Sequence, residues 1–245
     1  MKKEQSSTSQ MIKTKTMQQG GGQKKSEDDI VMNLILLYKE FHAIGLPDVL
    51  NDILFKELRA LTGEAYVLAF DTAVGRLPVK GRVYLEANGA DGLYVTSYYE
   101  LFLGGLPDKG GMRNAFLCTP FCLITIEEAV NLLQGRCIFR KPEVDPIGEG
   151  YWVFLGTTEL MPGFRRPLLV RNGFRVREYL AETGLGSWLG VEGWNKLVHA
   201  LEKGDRCDLT LGTAKGMRAV KVEADPLRQQ LKVMNAKGVD VQIKG

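Results

Sequence analysis

The sequence predicts an α+β fold: a helical hairpin feeding an antiparallel meander, followed by a second α+β half. Three observations carry that prediction. Residues 30–63 hold two apolar stretches of helical character, separated by Gly45-Leu46-Pro47. From Ala65 onward the apolar period changes from that of a helix to that of a strand. A unit of helix, Gly-acid stop, strand, turn and strand then recurs. It runs from Leu58 through Gly63-Glu64 to Glu86-Ala87, and from Val198 through Gly204-Asp205 to Glu223-Ala224, with a looser third copy opening at Asn131–Arg136. Gly63 precedes Glu86 by 23 residues and Gly204 precedes Glu223 by 19, which predicts a longer first hairpin turn.

Each element follows in order. Residues 1–29 are rich in Ser, Thr, Gln, Lys and Gly and too poor in apolar side chains to offset ordering entropy, so they are expected to form a disordered tail. A first helix is expected after Ser26-Glu27-Asp28-Asp29, whose acids suit a helix N-terminus. Ile30, Met32, Leu34, Ile35, Leu37, Tyr38 and Phe41 crowd it, predicting burial on more than one side. A second helix opens at Pro47-Asp48, carries Val49, Leu50, Ile53, Leu54, Leu58 and Leu61, and stops at Gly63. Strands are expected over 65–71, 79–87 and 92–103, with Gly75–Pro78 and Asn88–Gly92 as turns. In the third strand, Tyr94 and Tyr98 should share one face and Tyr99 the other, a candidate ligand platform. The glycine-rich stretch 104–114 reads as a loop and 115–124 as a buried strand.

Thr125 and Glu128 form a capping-box pattern for a helix ending at Gly135. Strands are expected over 137–140, 151–158 and 168–171, a turn at Asn172-Gly173, a short helix over 176–182 and another over 191–201. A second meander over 209–211, 219–223 and 230–235 closes the chain. The domain reading is a tail over 1–29, an N-terminal α+β unit over 30–114 and a C-terminal one over 115–245.

The net charge of +3 is unevenly spread: +2 over 1–29, −4 over 30–133 and +5 over 134–245. A basic second half could favour an acidic partner. The N-terminus lacks the apolar core of a secretory leader, and no apolar run is long enough to span a bilayer. A cytoplasmic protein with free thiols is the expectation. Cys118 and Cys122 are too widely spaced, and too deeply set among Phe116, Leu117, Phe121 and Leu123, to read as zinc ligands. No metal and no cofactor are expected.

Several motifs of the second half resemble an uncharacterised family. They are Ile124–Arg136, Asn172-Gly173-Phe174, Trp194 through Gly204-Asp205-Arg206, Val222–Pro226 and Leu231–Asn235. Their order and spacing over roughly 124–245 are similar to a domain-of-unknown-function family found on conjugative and other mobile elements of gut bacteria. Asp225 stands where that family typically has Asn, and the connection 141–150 departs from it. The resemblance implies an accessory role in a mobile-element setting and implies no reaction.

No catalytic constellation stands out. His42 and His199 have no nucleophile motif beside them, and Glu86 and Glu223, at equivalent repeat positions, read more simply as strand-end acids than as a paired acid and base. The best candidate surface is the run from Arg165 to Arg177. It holds Arg165, Arg166, Arg171, Arg175 and Arg177, with Phe164 and Phe174 as flanking or interleaved rings. Guanidinium groups and rings in that pattern could bind phosphates and stack bases, or meet another protein. The reading is therefore a non-enzymatic cytoplasmic binding or adaptor protein with a protein partner. A nucleic-acid-binding accessory protein using this stretch is the alternative, and an enzyme is the third.

Overall fold

The computed structural model describes residues 26–46, 48, 54, 65–88, 93–104, 111–118, 123–141, 150–161, 164–213 and 216–241. The expected tail up to residue 25, the expected second helix apart from Asp48 and Leu54, the stop at Gly63, and Cys122 lie outside the described residues. The fold is α+β, with three antiparallel sheets. The chain divides into two compact units, residues 1–130 with 161–164, and residues 131–160 with 165–245.

In the first unit, α1 (Glu27–Ile44) starts three residues earlier than the sequence suggested. Ser26 caps it: the Asp29 N–H donates to Ser26 Oγ at 3.1 Å and the Ser26 N–H donates to Asp29 Oδ2 at 3.1 Å. The acids thus lie inside the first turn, where the helix dipole favours them. A four-stranded sheet follows, β1 (Ala65–Val74), β2 (Leu77–Ala87), β3 (Tyr94–Leu103) and β4 (Met112–Leu117), in that spatial order. β4 corrects the boundary between the expected loop and strand: residues 115–117 are strand as expected, but 112–114, expected in the loop, belong to it too. Asn114 and Phe116 alternate inward from Arg113 and Ala115, a strand period that the preceding glycines hide.

α1 lies on the inner face of this sheet through Leu37, Phe41 and Ile44, each worth about 1.5–3 kcal/mol when buried. Polar groups fix its position. β4 pairs with β3 from Tyr98 to Leu103, and among the described residues no strand pairs with Tyr94–Thr96 on that side. Side chains of α1 supply partners there. Asn33 Nδ2 donates to the Tyr94 carbonyl at 2.6 Å, the Tyr94 N–H donates to Asn33 Oδ1 at 2.8 Å, and the Thr96 N–H donates to Glu40 Oε2 at 3.0 Å. The expected burial on more than one side is not found: Val31, Met32, Ile35, Leu36 and Tyr38 are exposed. Placing the buried Asn33 against β3 rotates the helix so that much of its apolar surface faces outward.

The chain continues through α2 (Ile126–Leu133), capped by Thr125 and Glu128 as the sequence indicated. In the second unit β5 (Ile138–Arg140), β6 (Tyr151–Met161) and β7 (Phe164–Val170) form one sheet in that order. Then come α3 (Val176–Thr183), a single 3-10 turn at Ser187–Leu189, and α4 (Gly190–Glu202). The last sheet, β8 (Cys207–Thr213), β9 (Gly216–Asp225) and β10 (Gln230–Asn235), has β9 in the middle. The core of this unit gathers Trp152, Phe174, Leu180, Leu201, Val222 and their neighbours.

Three helices end in one motif. The N–H groups of Gly45 and Leu46 donate to the carbonyls of His42 and Phe41, those of Gly135 and Arg136 to Leu132 and Asn131, and those of Gly204 and Asp205 to Leu201 and Ala200. Each glycine is left-handed, and the donor spacing is that of a Schellman cap. The recurring Gly-acid mark of the last copy is therefore a helix stop. The expected longer first turn is corrected: Val74 pairs with Leu77 and Thr213 with Gly216, so both hairpins turn in the same length and the extra residues of the first lie in longer strands.

Candidate binding surface

The arginine run does not form one surface. Arg165 and Arg166 are neighbours on β7 and so point to opposite faces of its sheet. Phe164 opens the same strand, and the Arg113 guanidinium lies 5.6 Å from its ring centre. Arg171 lies over the Tyr151 ring at 5.7 Å and Arg175 over the Phe139 ring at 5.8 Å, so both use aromatic faces of their own unit. Arg177, on α3, donates to Asn195 Oδ1 on α4 at 3.0 Å. Phe174 is no stacking platform. Its ring is buried beside Trp152 and Tyr179, and its carbonyl accepts the Trp152 indole N–H at 3.1 Å. Asn172 holds the turn between them, donating to the Pro226 carbonyl at 2.5 Å and accepting from the Phe174 N–H at 3.2 Å. An arginine-rich string thus becomes a set of separately placed groups, because strand alternation and a turn divide it.

The Gly204-Asp205-Arg206 motif has a structural explanation. Asn131 of α2 donates to the Lys203 carbonyl and to Asp205 Oδ1, both at 2.8 Å, and accepts from Arg136. Arg206 grips the nearly buried Glu223 with Nε at 2.9 Å and a terminal nitrogen at 2.8 Å. Lys232 stands 3.7 Å from the other Glu223 oxygen and 3.7 Å from Asp240. Burial, and then the neighbouring Arg206 charge, lower the Arg136 pKa, while Glu223 and Asp205 oppose that shift. This network ties the end of α4 to α2 and β9. Glu223 is occupied in it, and Glu86 is exposed near the end of β2.

A surface the sequence reading resolved only in part is the outer face of the β1–β4 sheet. A bulge at Ser97 makes Tyr84 pair with Tyr98 while Leu85 pairs with Thr96. The expected sharing of a face by Tyr94 and Tyr98 is overturned by that extra residue. Tyr94 and Tyr99 are buried inward, and Tyr98 turns outward onto Tyr84, with ring centres 4.1 Å apart and planes 14° apart. Tyr84 donates its hydroxyl to Glu100 Oε2 at 2.7 Å, and Arg82 lies 3.9 Å from the same carboxylate and 5.4 Å from the Phe102 ring centre. Burial, and then the Glu100 carboxylate, push the Tyr84 phenol up to about 12, so it remains a hydrogen-bond donor. Tyr98 is also raised, by burial and then by Glu100 and Glu86. Lys80 pairs with Asp71 at 3.3 Å on the same face, and Arg113, opposite Phe102, extends it to the edge strand β4. Leu117 opposes Tyr98 there and is 66% exposed. Lys80, Arg82 and Arg113 balance Asp71, Glu86 and Glu100, so the face is rich in aromatic and guanidinium groups without a net basic field.

Elsewhere the chemistry is quiet. Burial raises the thiols of Cys118 and Cys137 to about 12 and that of Cys207 to about 11, which keeps them protonated and poor as nucleophiles or ligands. His42 and His199 are both exposed on helices. Among the described residues no group of three or more His, Cys, Asp or Glu side chains could hold a metal ion, and no helix is long and apolar enough to cross a membrane. Neither a family model, nor a curated protein, nor a solved structure matches this chain.

Proposed function

We propose that this chain is a non-enzymatic cytoplasmic adaptor that binds a protein partner through the outer face of its four-stranded sheet. The observation that carries the reading is the composition of that face: a stacked Tyr84–Tyr98 pair between Arg82, Arg113 and the exposed Leu117. Tyrosine and arginine are enriched among the few residues that dominate binding in protein interfaces, because they add large contact area with directed polar groups. The balance of charge argues for a protein over a phosphate backbone, whose binding depends on a surplus of Lys and Arg. The dispersal of the five arginines between Arg165 and Arg177 argues the same way. The resemblance of the second half supports an accessory role on a mobile element.

Capture from the native host tests the proposal. A stoichiometric protein partner is expected with the wild-type chain, weakened by about 2 kcal/mol or more in Tyr98→Ala and in Leu117→Asp. The same partner should be retained by the double variant Arg165→Glu, Arg175→Glu. Steeply salt-dependent binding of labelled DNA or RNA, abolished by that double variant and indifferent to Tyr98→Ala, would overturn the reading in favour of the nucleic-acid alternative.

A further inference from the structure

The outward surface of α1 is unusual for a helix on a sheet. Such helices normally present charged residues to water opposite their apolar stripe. Here Asn33, Leu37, Phe41 and Ile44 face the sheet, and the outward side is again apolar. Val31 is 49% exposed, Met32 55%, Ile35 45%, Leu36 44% and Tyr38 50%. A contiguous apolar patch of this kind marks a contact surface.

Its spacing and charge point to what covers it. Asp28, Val31, Ile35, Tyr38 and His42 follow one another at steps of three, four, three and four residues, the seam of a helix pair. Met32, Leu36 and Lys39 flank it. The pattern is centred on Ile35: Asp28 lies seven residues before it and His42 seven after, Val31 four before and Lys39 four after. The first turn is acidic, with Glu27, Asp28 and Asp29, while Lys39 and His42 stand toward the other end. An antiparallel copy of the same helix sets each acidic end against the other copy's Lys39 and His42 and opposes the two helix dipoles. A parallel copy would set acid against acid. A surface that complements itself under a two-fold rotation is the mark of an isologous contact.

We propose that two copies of this chain pair through α1, antiparallel, with Ile35 at the two-fold axis. The contact uses a different surface from the sheet face assigned to the protein partner, so the two readings stand or fall separately. One helix pair buries less than a standard interface, the class of weak and transient contacts, so a reversible dimer with a dissociation constant on the order of tens of micromolar is expected.

Sedimentation of the full chain tests this, at concentrations up to about 200 µM, well above the constant expected for so small a contact. A reversible monomer–dimer equilibrium is expected. Ile35→Asp puts like charges face to face at the axis and should weaken the dimer about a hundredfold or more, with unchanged circular dichroism because the side chain is not part of the core. Oxidative cross-linking fixes the orientation. Ile35→Cys should link two copies above the level of the unsubstituted chain, and Val31→Cys should not, since it faces Lys39 of the second copy. A monomer throughout the range would overturn the proposal. So would a dimer indifferent to Ile35→Asp, or one that Val31→Cys links as readily as Ile35→Cys.

Discussion

In the first unit the polar side chains of β2 and β3 share the outer sheet face, where half-buried Tyr84 and Tyr98 pack on each other and Tyr84 holds the buried Glu100 carboxylate. In the second unit the comparable groups tie loop to helix: Glu223 of β9 is gripped by Arg206, and Asp205 by Asn131. The second half carries more basic residues in sequence, yet Arg171 and Arg175 stack on Tyr151 and Phe139, and Arg177 and Arg206 bond to Asn195 and Glu223. The first half carries net negative charge, yet it is the one that gathers tyrosine and guanidinium groups on one sheet face. The difference teaches that placement matters more than charge per residue: both units give their arginines internal partners, but the first gathers charges and rings on one sheet face, whereas strand alternation and a turn separate those of the second.

The sharpest test compares two glycines that end helices by the same motif, one in each unit. Gly45 is left-handed and a Cβ there would meet nothing within 4 Å. Gly204 is left-handed too, but a Cβ would lie 2.6 Å from the Cys137 carbonyl and 3.2 Å from Asn131 Cβ. Gly45→Ala should cost about 1 kcal/mol, the penalty of the backbone conformation alone. Gly204→Ala adds a clash against backbone that cannot swing away, for a total of about 3–4 kcal/mol. Urea midpoints measure both. Equal losses would mean that the Gly204 loop is not held against α2 and β5 as described.

Much of this architecture was readable in advance, and the misses have physical causes. The capping box at Thr125, the strands of both meanders and the short helix after Phe174 follow from local patterns, which tertiary contacts here reinforce. The bulge at Ser97 could not be read, because one inserted residue leaves the alternation on either side intact while exchanging faces. That single residue separates Tyr94 from Tyr98 and creates the stacked pair of the outer sheet face. The outward apolar side of α1 was legible as composition but not as exposure. Its orientation depends on Asn33 meeting the Tyr94 backbone, a contact 61 residues apart in sequence. The arginine run misled because its strand and turn separate what the sequence sets side by side.

A second pair of glycines asks how far the likeness of the two units extends. In each, a phenylalanine ring lies where a glycine Cβ would be: Phe70 over Gly81 at 2.2 Å and Phe139 over Gly150 at 2.1 Å, each with a strand carbonyl at 2.8 Å. Phe70 is fully buried, whereas Phe139 is only partly buried. Gly81→Ala should therefore cost about 3 kcal/mol and Gly150→Ala about 2 kcal/mol, because only the second ring can move aside. A reversed order, read from thermal melts, would show that the half-buried position of Phe139 does not provide that relief.

The gentlest probe is alkaline pH, acting on the half-buried Cys118 thiol of the first unit and the buried Cys137 thiol of the second. Burial raises Cys118 and Cys137 from 9.0 to about 12; the next cause is the Glu40 carboxylate for the first and Asp225 and Glu223 for the second. The sign follows from proton counting. Between about pH 9 and pH 12 the unfolded chain has lost these protons and the folded chain keeps them. The folded state binds more protons there, so stability is fully present below pH 9 and declines as pH rises through that window. Cys118→Ala and Cys137→Ala should each reduce the slope of stability against pH by up to one proton, and by similar amounts, since the two thiols start and end at the same values. Thiol-reagent kinetics at pH 8 should show slow reaction at both sites. A flat stability profile from pH 9 to pH 11, or rapid labelling of Cys137 in the folded protein, would show that these thiols are open to water. The second unit's core would then be looser around β5 than the packing of Cys137 against Gly204 requires.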